Sequence, residues 1–220
     1  MNARARSAIL SRLRAATAGP GLPRPSAPVG LRRPGRGVAD FETFAAVLAT
    51  LGPTFELARS AEEARTALIG TAARHEVKTA VRWEHPDLDA VDAPSVLAGA
   101  GVAMIAPEEL PDRVCPSLAA VDMGITGVAY ALCATGSLIL AAGPGRERGT
   151  ALVPRLHVAL VPRSRLLPDL PALFDRLAGQ PMPSAVNCVS GVSSTGDIEF
   201  VYVRGVHGPL AVHVIGLDWL

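Results

Sequence analysis

Residues 123–145 read MGITGVAYALCATGSLILAAGPG, a run of 23 positions without a charge. Exposing that much apolar surface to water is unfavourable, so the stretch must cross a membrane or lie in a core. A spanning helix needs about 20 apolar residues, and the length suffices. The composition argues against it: five glycines, Pro144 and the break at Thr135-Gly136-Ser137 all weaken a helix. We therefore expect two buried strands, 124–132 and 137–142, paired as a hairpin around Ala134-Thr135-Gly136, and no membrane span.

The flanking sequence supplies helices for those strands to pack against. Asp40 is placed to cap DFETFAAVLATL, and Ser60-Ala61-Glu62-Glu63 has the capping-box pattern of a helix reaching about residue 75. Strand-like runs at 54–57, 78–83, 102–106, 155–161, 185–189 and 210–217 are interspersed with helix patterns at 94–99 and 166–177. This alternation predicts an α/β body with a mostly parallel sheet flanked by helices. Residues 196–204 fit helix and strand equally. Ahead of the body, 3–17 reads as an amphipathic helix with Ile9, Leu10 and Leu13 on one face. Residues 19–37, dense in Pro, Gly and Arg, read as a linker. The expected organisation is an arm, 1–39, and a body, 40–220.

Charge divides at the same boundary. The arm holds eight arginines and no acid; the body holds thirteen cations and twenty acids, a balance of −7. An acidic body argues against nucleic acid as a partner. Cys115, Cys133 and Cys188 are far apart, with no Cys-x-x-Cys pair. That pattern points away from an iron–sulfur cluster or structural zinc on this chain, and away from a secreted disulfide scaffold. The three read as small buried hydrophobes. With no apolar leader at the start, the expectation is a cytoplasmic protein; the oligomeric state stays open.

The densest polar stretch is GVSSTGDIEFVYVRGVHGP, residues 191–209, set between apolar runs. Asp197 and Glu199 are candidate general bases or nucleophiles, with helix capping or an ion pair to Arg204 as the structural alternative. Ser193, Ser194 and Thr195 can bind an anion through hydroxyls and free N–H groups, with Gly191 letting the backbone approach; ordinary turn chemistry explains them equally. His207, beside Gly208, can meet an anion, move a proton or pin the loop. Thr126, Thr135 and Gly136 fall in further turns. Arg146 and Arg148, in a glycine-rich loop, are the best cations for an anionic ligand. His157 lies within a strand, where a structural imidazole is the simpler reading. His213 reads as structural, Trp83 and Trp219 as core or interface anchors, and His75 and His85 as surface residues. In α/β sheets ligands sit beyond the carboxyl ends of strands, so these polar turns are expected around one pocket.

Four segments in order, GITGVAYALCATGSLIL (124–140), LVPRLHVALVP (152–162), GVSSTGDIE (191–199) and GVHGPLAVHVI (205–215), resemble the LUD-domain family in its lactate-utilisation protein C branch. The resemblance implies a fold akin to glucosamine-phosphate deaminase, ribose-phosphate isomerase and CoA transferases. It implies a role in bacterial oxidation of L-lactate to pyruvate, beside partner proteins that hold iron–sulfur clusters while this chain binds none. The family pattern has an acid where Ala134 stands and a cation where Ser194 stands, which fits a lost ion pair between facing positions. Two other readings remain: a stand-alone isomerase or CoA-transferase-like enzyme using Glu199 or Asp197, and a scaffold reaching its partner through the arm.

Overall fold

Side-chain caps set the helix starts. In a computed structural model, which describes residues 3–18, 37–106, 109, 115–195, 203–204 and 208–220, Asp40 accepts the Thr43 N–H at 2.7 Å and Ser60 accepts the Glu63 N–H at 3.2 Å. The Glu63 carboxylate reaches back to the Arg59 N–H at 2.7 Å, one residue earlier than a standard capping box. The chain divides into two units at residues 33 and 34. The first contains helix α1 (Ala3–Thr17), with Ile9 and Leu13 exposed.

The second unit opens with α2 (Phe41–Thr50), β1 (Thr54–Ala58), α3 (Ala61–Arg74), β2 (Thr79–Arg82), α4 (Pro86–Ala90), α5 (Ala93–Gly99) and β3 (Ala103–Ile105). Then come α6 (Cys115–Ala119), β4 (Met123–Thr126), β5 (Tyr130–Leu132), β6 (Ser137–Ala142), α7 (Gly149–Leu152) and β7 (Leu156–Pro162). It closes with β8 (Leu166–Leu167), α8 (Leu170–Leu177), β9 (Ala185–Val189), the two-residue strands β10 (Ser194–Thr195) and β11 (Val203–Arg204), and β12 (Ala211–Leu217). Among the described residues no helix is long and apolar enough to cross a membrane.

The main sheet is wholly parallel, in the order β1-β12-β7-β4-β2-β3. Both of its faces are covered, which explains why β7, LHVALVP, is buried at every position and apolar but for His157. Leu156, Val158 and Leu160 join Leu68, Leu88, Leu97, Ile215 and Leu217 in one core cluster with α3, α4 and α5. Ala159 and Val161 join Phe41, Phe44, Leu48, Val212 and Val214 in another, with α2 and the second sheet. That second sheet runs β8-β5-β6-β9, antiparallel at β5–β6 and β6–β9.

Three expectations are corrected. The strand expected at 124–132 is two: β4 belongs to the parallel sheet, and after Gly127 the chain crosses to the second sheet as β5. The helix expected over 166–177 begins with β8 and becomes helical only after Asp169, whose carboxylate accepts the Ala172 N–H at 3.0 Å. The run 185–189 is a half-buried edge strand, so Cys188 is exposed while Cys133 is buried, its thiol pushed up by burial. The Cys115 side chain lies outside the described residues.

Candidate functional site

Strand order turns back at one place. From β2 the chain moves outward through α4 and α5 to β3, then returns past β2 to β4, with α6 between. Adjacent strands whose connections leave in opposite directions open a crevice at their carboxyl ends, the usual ligand position in such sheets. Here that crevice is roofed by the second sheet and by the loop after α8. It forms a cleft of about 570 Å³ whose polar lining comprises Glu84, His85, Tyr130, Arg146, Arg165 and Gln180.

The link after β2 is held firmly. Trp83 continues the strand pairing through its N–H to the Ile125 carbonyl at 3.0 Å, and its indole Nε1 donates to the Glu147 carbonyl at 2.9 Å. Glu84 N–H donates to the Gly145 carbonyl at 2.7 Å. The 143–146 turn is closed by Arg146 N–H to the Gly143 carbonyl at 2.9 Å, and Gly145 sits at φ +67°, where a side chain is strained and would also strike Glu84. Pro144 before that glycine suits a type II turn. The turn thereby brings Arg146 to the cleft.

His85 is buried, contrary to its expected surface position, and starts α4 as its N-cap. Its Nδ1 lies 3.1 Å from Asp87 Oδ2 and 3.3 Å from the Asp87 N–H. One nitrogen cannot donate to the first and accept from the second at once. The hydrogen bond formed is the second: the Asp87 N–H donates to Nδ1 as the helix cap, which makes Nδ1 the acceptor and leaves Asp87 Oδ2 without a hydrogen-bond partner among the described residues. Nε2 then has no protein partner among the described residues. Gly127 lies directly against the imidazole, and a Cβ there would collide with the ring.

The cations complete the cleft. Arg146 and Arg165 are half-buried, and neither is ion-paired among the described residues. Arg165 comes from the 3-10 turn Arg163–Arg165, whereas its neighbour Arg163 is engaged with Asp218 and stacks over Phe41. Two half-buried guanidiniums without counter-ions in a concavity are suited to an anion, and their planar forks match carboxylate geometry.

The other residues singled out in the sequence fall elsewhere. Thr126 and His157 are a buried pair within the sheet, Oγ1 to Nε2 at 2.9 Å. Burial lowers His157 to about 4, so it is neutral, and its Nδ1 has no partner among the described residues. Thr135 bonds Ser137, which bonds Ser190 at 2.6 Å; Gly136 and Gly191 flank this hydroxyl chain against the end of α2 at Leu48 and Leu51. Ser193 stands beside Gly208, with its N–H to the Pro209 carbonyl at 3.3 Å, near the amino end of β12. Ser194 and Thr195 pair with Arg204 and Val203. Arg148 is exposed at the N-cap of α7. Ala134 and Ser194 are both exposed. Of the sequence candidates, Arg146 alone appears in the lining of the cleft, whereas Asp197, Glu199 and His207 lie outside the described residues. His85, Asp87 and Arg165 were missed. Their signal was Trp-Glu-His-Pro-Asp at a strand end, where a proline-started helix turns the chain beside the sheet.

Among the described residues no three His, Cys, Asp or Glu side chains converge so as to hold a metal ion. Residues 42–216 match the LUD domain. A Lactate utilization protein C from Halalkalibacterium halodurans is 30% identical over 141 residues, which cover 62% of this chain and 61% of that protein. Another, from Exiguobacterium sp., is 36% identical over 99 residues, 43% of each chain. The matched stretch therefore spans less than two thirds of either relative. In three dimensions the chain is similar to a DUF162 family protein from Deinococcus radiodurans, with a TM-score of 0.55 and 21% identity over 80% of this chain and 95% of that one.

Proposed function

This chain belongs to the LUD domain family, and from that premise we propose that it is a cluster-free component of bacterial L-lactate oxidation to pyruvate, working beside iron–sulfur partner proteins. The observation that carries the reading is the similarity to proteins named Lactate utilization protein C. The cleft at the carboxyl ends of β2 and β4 supports it, because Arg146 and Arg165, which have no ion-pair partner among the described residues, offer positive charge to a small carboxylate. Within the cleft the guanidiniums fix the anion, the turn 143–146 holds one of them in place, and the second sheet limits access of water.

The test is genetic. Deleting the gene is expected to abolish growth on L-lactate as the carbon source while growth on pyruvate persists. The wild-type gene restores it and the Arg146→Ala/Arg165→Ala gene does not. Unimpaired growth of the deletion strain on L-lactate overturns the proposal.

A further inference from the structure

We infer that Trp83, which is not among the residues lining the cleft, is the positioning residue for Arg146 and sets anion affinity through that arginine alone. This rests on the reading of the cleft as an anion site. The carbonyls on either side of Arg146 are both taken by the link after β2. Gly145 accepts the Glu84 N–H at 2.7 Å, and Glu147 accepts the Trp83 indole Nε1–H at 2.9 Å. Arg146 itself bonds back to Gly143, its N–H to the Gly143 carbonyl at 2.9 Å and its carbonyl from the Gly143 N–H at 3.3 Å. Of these bonds the indole's alone is made by a side chain, so it alone can be removed without altering the turn. The Glu147 carbonyl also accepts the Thr150 N–H at 3.2 Å, so the indole holds the point where the turn passes into α7.

The indole is itself fixed. Its backbone N–H is tied to the Ile125 carbonyl at 3.0 Å, and its ring is buried in one cluster with Val128, Ala131 and Ala151. A buried indole N–H needs an acceptor, and here the acceptor is the loop that carries the cation. The guanidinium is placed by the same turn: it lies across Gly143, where a Cβ would come within 3.1 Å of a terminal Arg146 nitrogen. An arginine held in this way has given up rotamer freedom before a ligand arrives, so less is lost on binding. Arg165 is a different case. It comes from the 3-10 turn after β7, which shares none of these bonds.

Double-mutant cycles on the purified full chain, read by calorimetric titration with L-lactate, test the assignment. Trp83→Phe keeps an aromatic ring in the core and removes the N–H. It is expected to weaken L-lactate about threefold, a smaller loss than Arg146→Ala gives. That loss should vanish in the Arg146→Ala chain and persist in the Arg165→Ala chain, because coupling appears between groups that act through one another. A merely structural indole would loosen both walls and add to both arginine variants alike. Where circular dichroism shows Trp83→Phe unfolded, benzothienylalanine at position 83, which keeps the bicyclic shape with sulfur in place of the N–H, gives the same cycle. If L-lactate binds and Arg146→Ala weakens it, but removing the N–H costs nothing or costs as much in the Arg146→Ala chain, the role of Trp83 is overturned while the anion cleft stands. If L-lactate does not bind the wild-type chain, the cleft reading and this inference fall together.

Discussion

At the amino ends of β2, β4 and β7, Asp122 collects the N–H groups of Lys78 and Thr79, the Thr79 hydroxyl and the Arg155 guanidinium, all within 3.2 Å. At the carboxyl ends of β2 and β4, Arg146 and Arg165 have no counter-ion among the described residues. Partial burial alone would raise the Asp122 carboxyl, but those hydrogen bonds outweigh it and hold the group below its usual range. The first end is saturated and stitches three strands together. A half-buried guanidinium with no partner among the described residues does the opposite for stability, and its place in a concavity is the ground on which an anion site is proposed there. The histidines divide in the same way. His157 and His213 lie in the sheet and are stripped of protons by burial, whereas His85 stands at the cleft with a carboxylate beside it.

Acid is the strongest way to break the contrast. Burial lowers His157 and His213 to about 4, against an ordinary 6.5, so between those values the unfolded chain binds more protons than the folded one. Stability is complete above about pH 6.5 and falls as pH drops toward 4, by about 1.4 kcal/mol per imidazole per pKa unit at most. Urea unfolding across that range should show the slope, and replacing either histidine with Gln should flatten it. A stability independent of pH there would mean the sheet does not exclude the protons.

Asp122→Ala is expected to cost about 2 kcal/mol, because it leaves two backbone N–H groups and Arg155 without their acceptor. Its unfolding midpoint should drop while carboxylate binding stays at the wild-type value. The smallest effect on stability belongs to the cleft: Arg146→Ala should change unfolding free energy by less than about 0.5 kcal/mol and still weaken carboxylate binding about tenfold. If Arg146→Ala destabilised the chain as much as Asp122→Ala, the two ends would not differ in kind.

Much of the secondary structure was legible because its causes are local. Asp40 and Ser60 cap the helices they precede, and the run 211–217 is apolar but for His213, as suits a strand covered on both faces. The passage from β4 to β5 was invisible for an equally physical reason: residues on either side of Gly127 are apolar, and hydrophobicity does not say which of two sheets a strand joins. Cys188 was misplaced because the edge position of β9 is a property of the sheet, not of the residues in the strand. The polar stretch 191–209 drew attention by composition, whereas the cleft is formed by single residues from widely separated turns.

From the sequence alone came the α/β class, the helix starts, the family likeness and the interest of Arg146, all of which depend on neighbours within a few residues or on motifs read in order. Only the tertiary structure put Arg165 and His85 beside that arginine and Asp122 at the far end of the same strands. The reason is topological. Strand order reverses between β2 and β4, and that reversal, set by pairing between distant segments, decides which turns share a cleft.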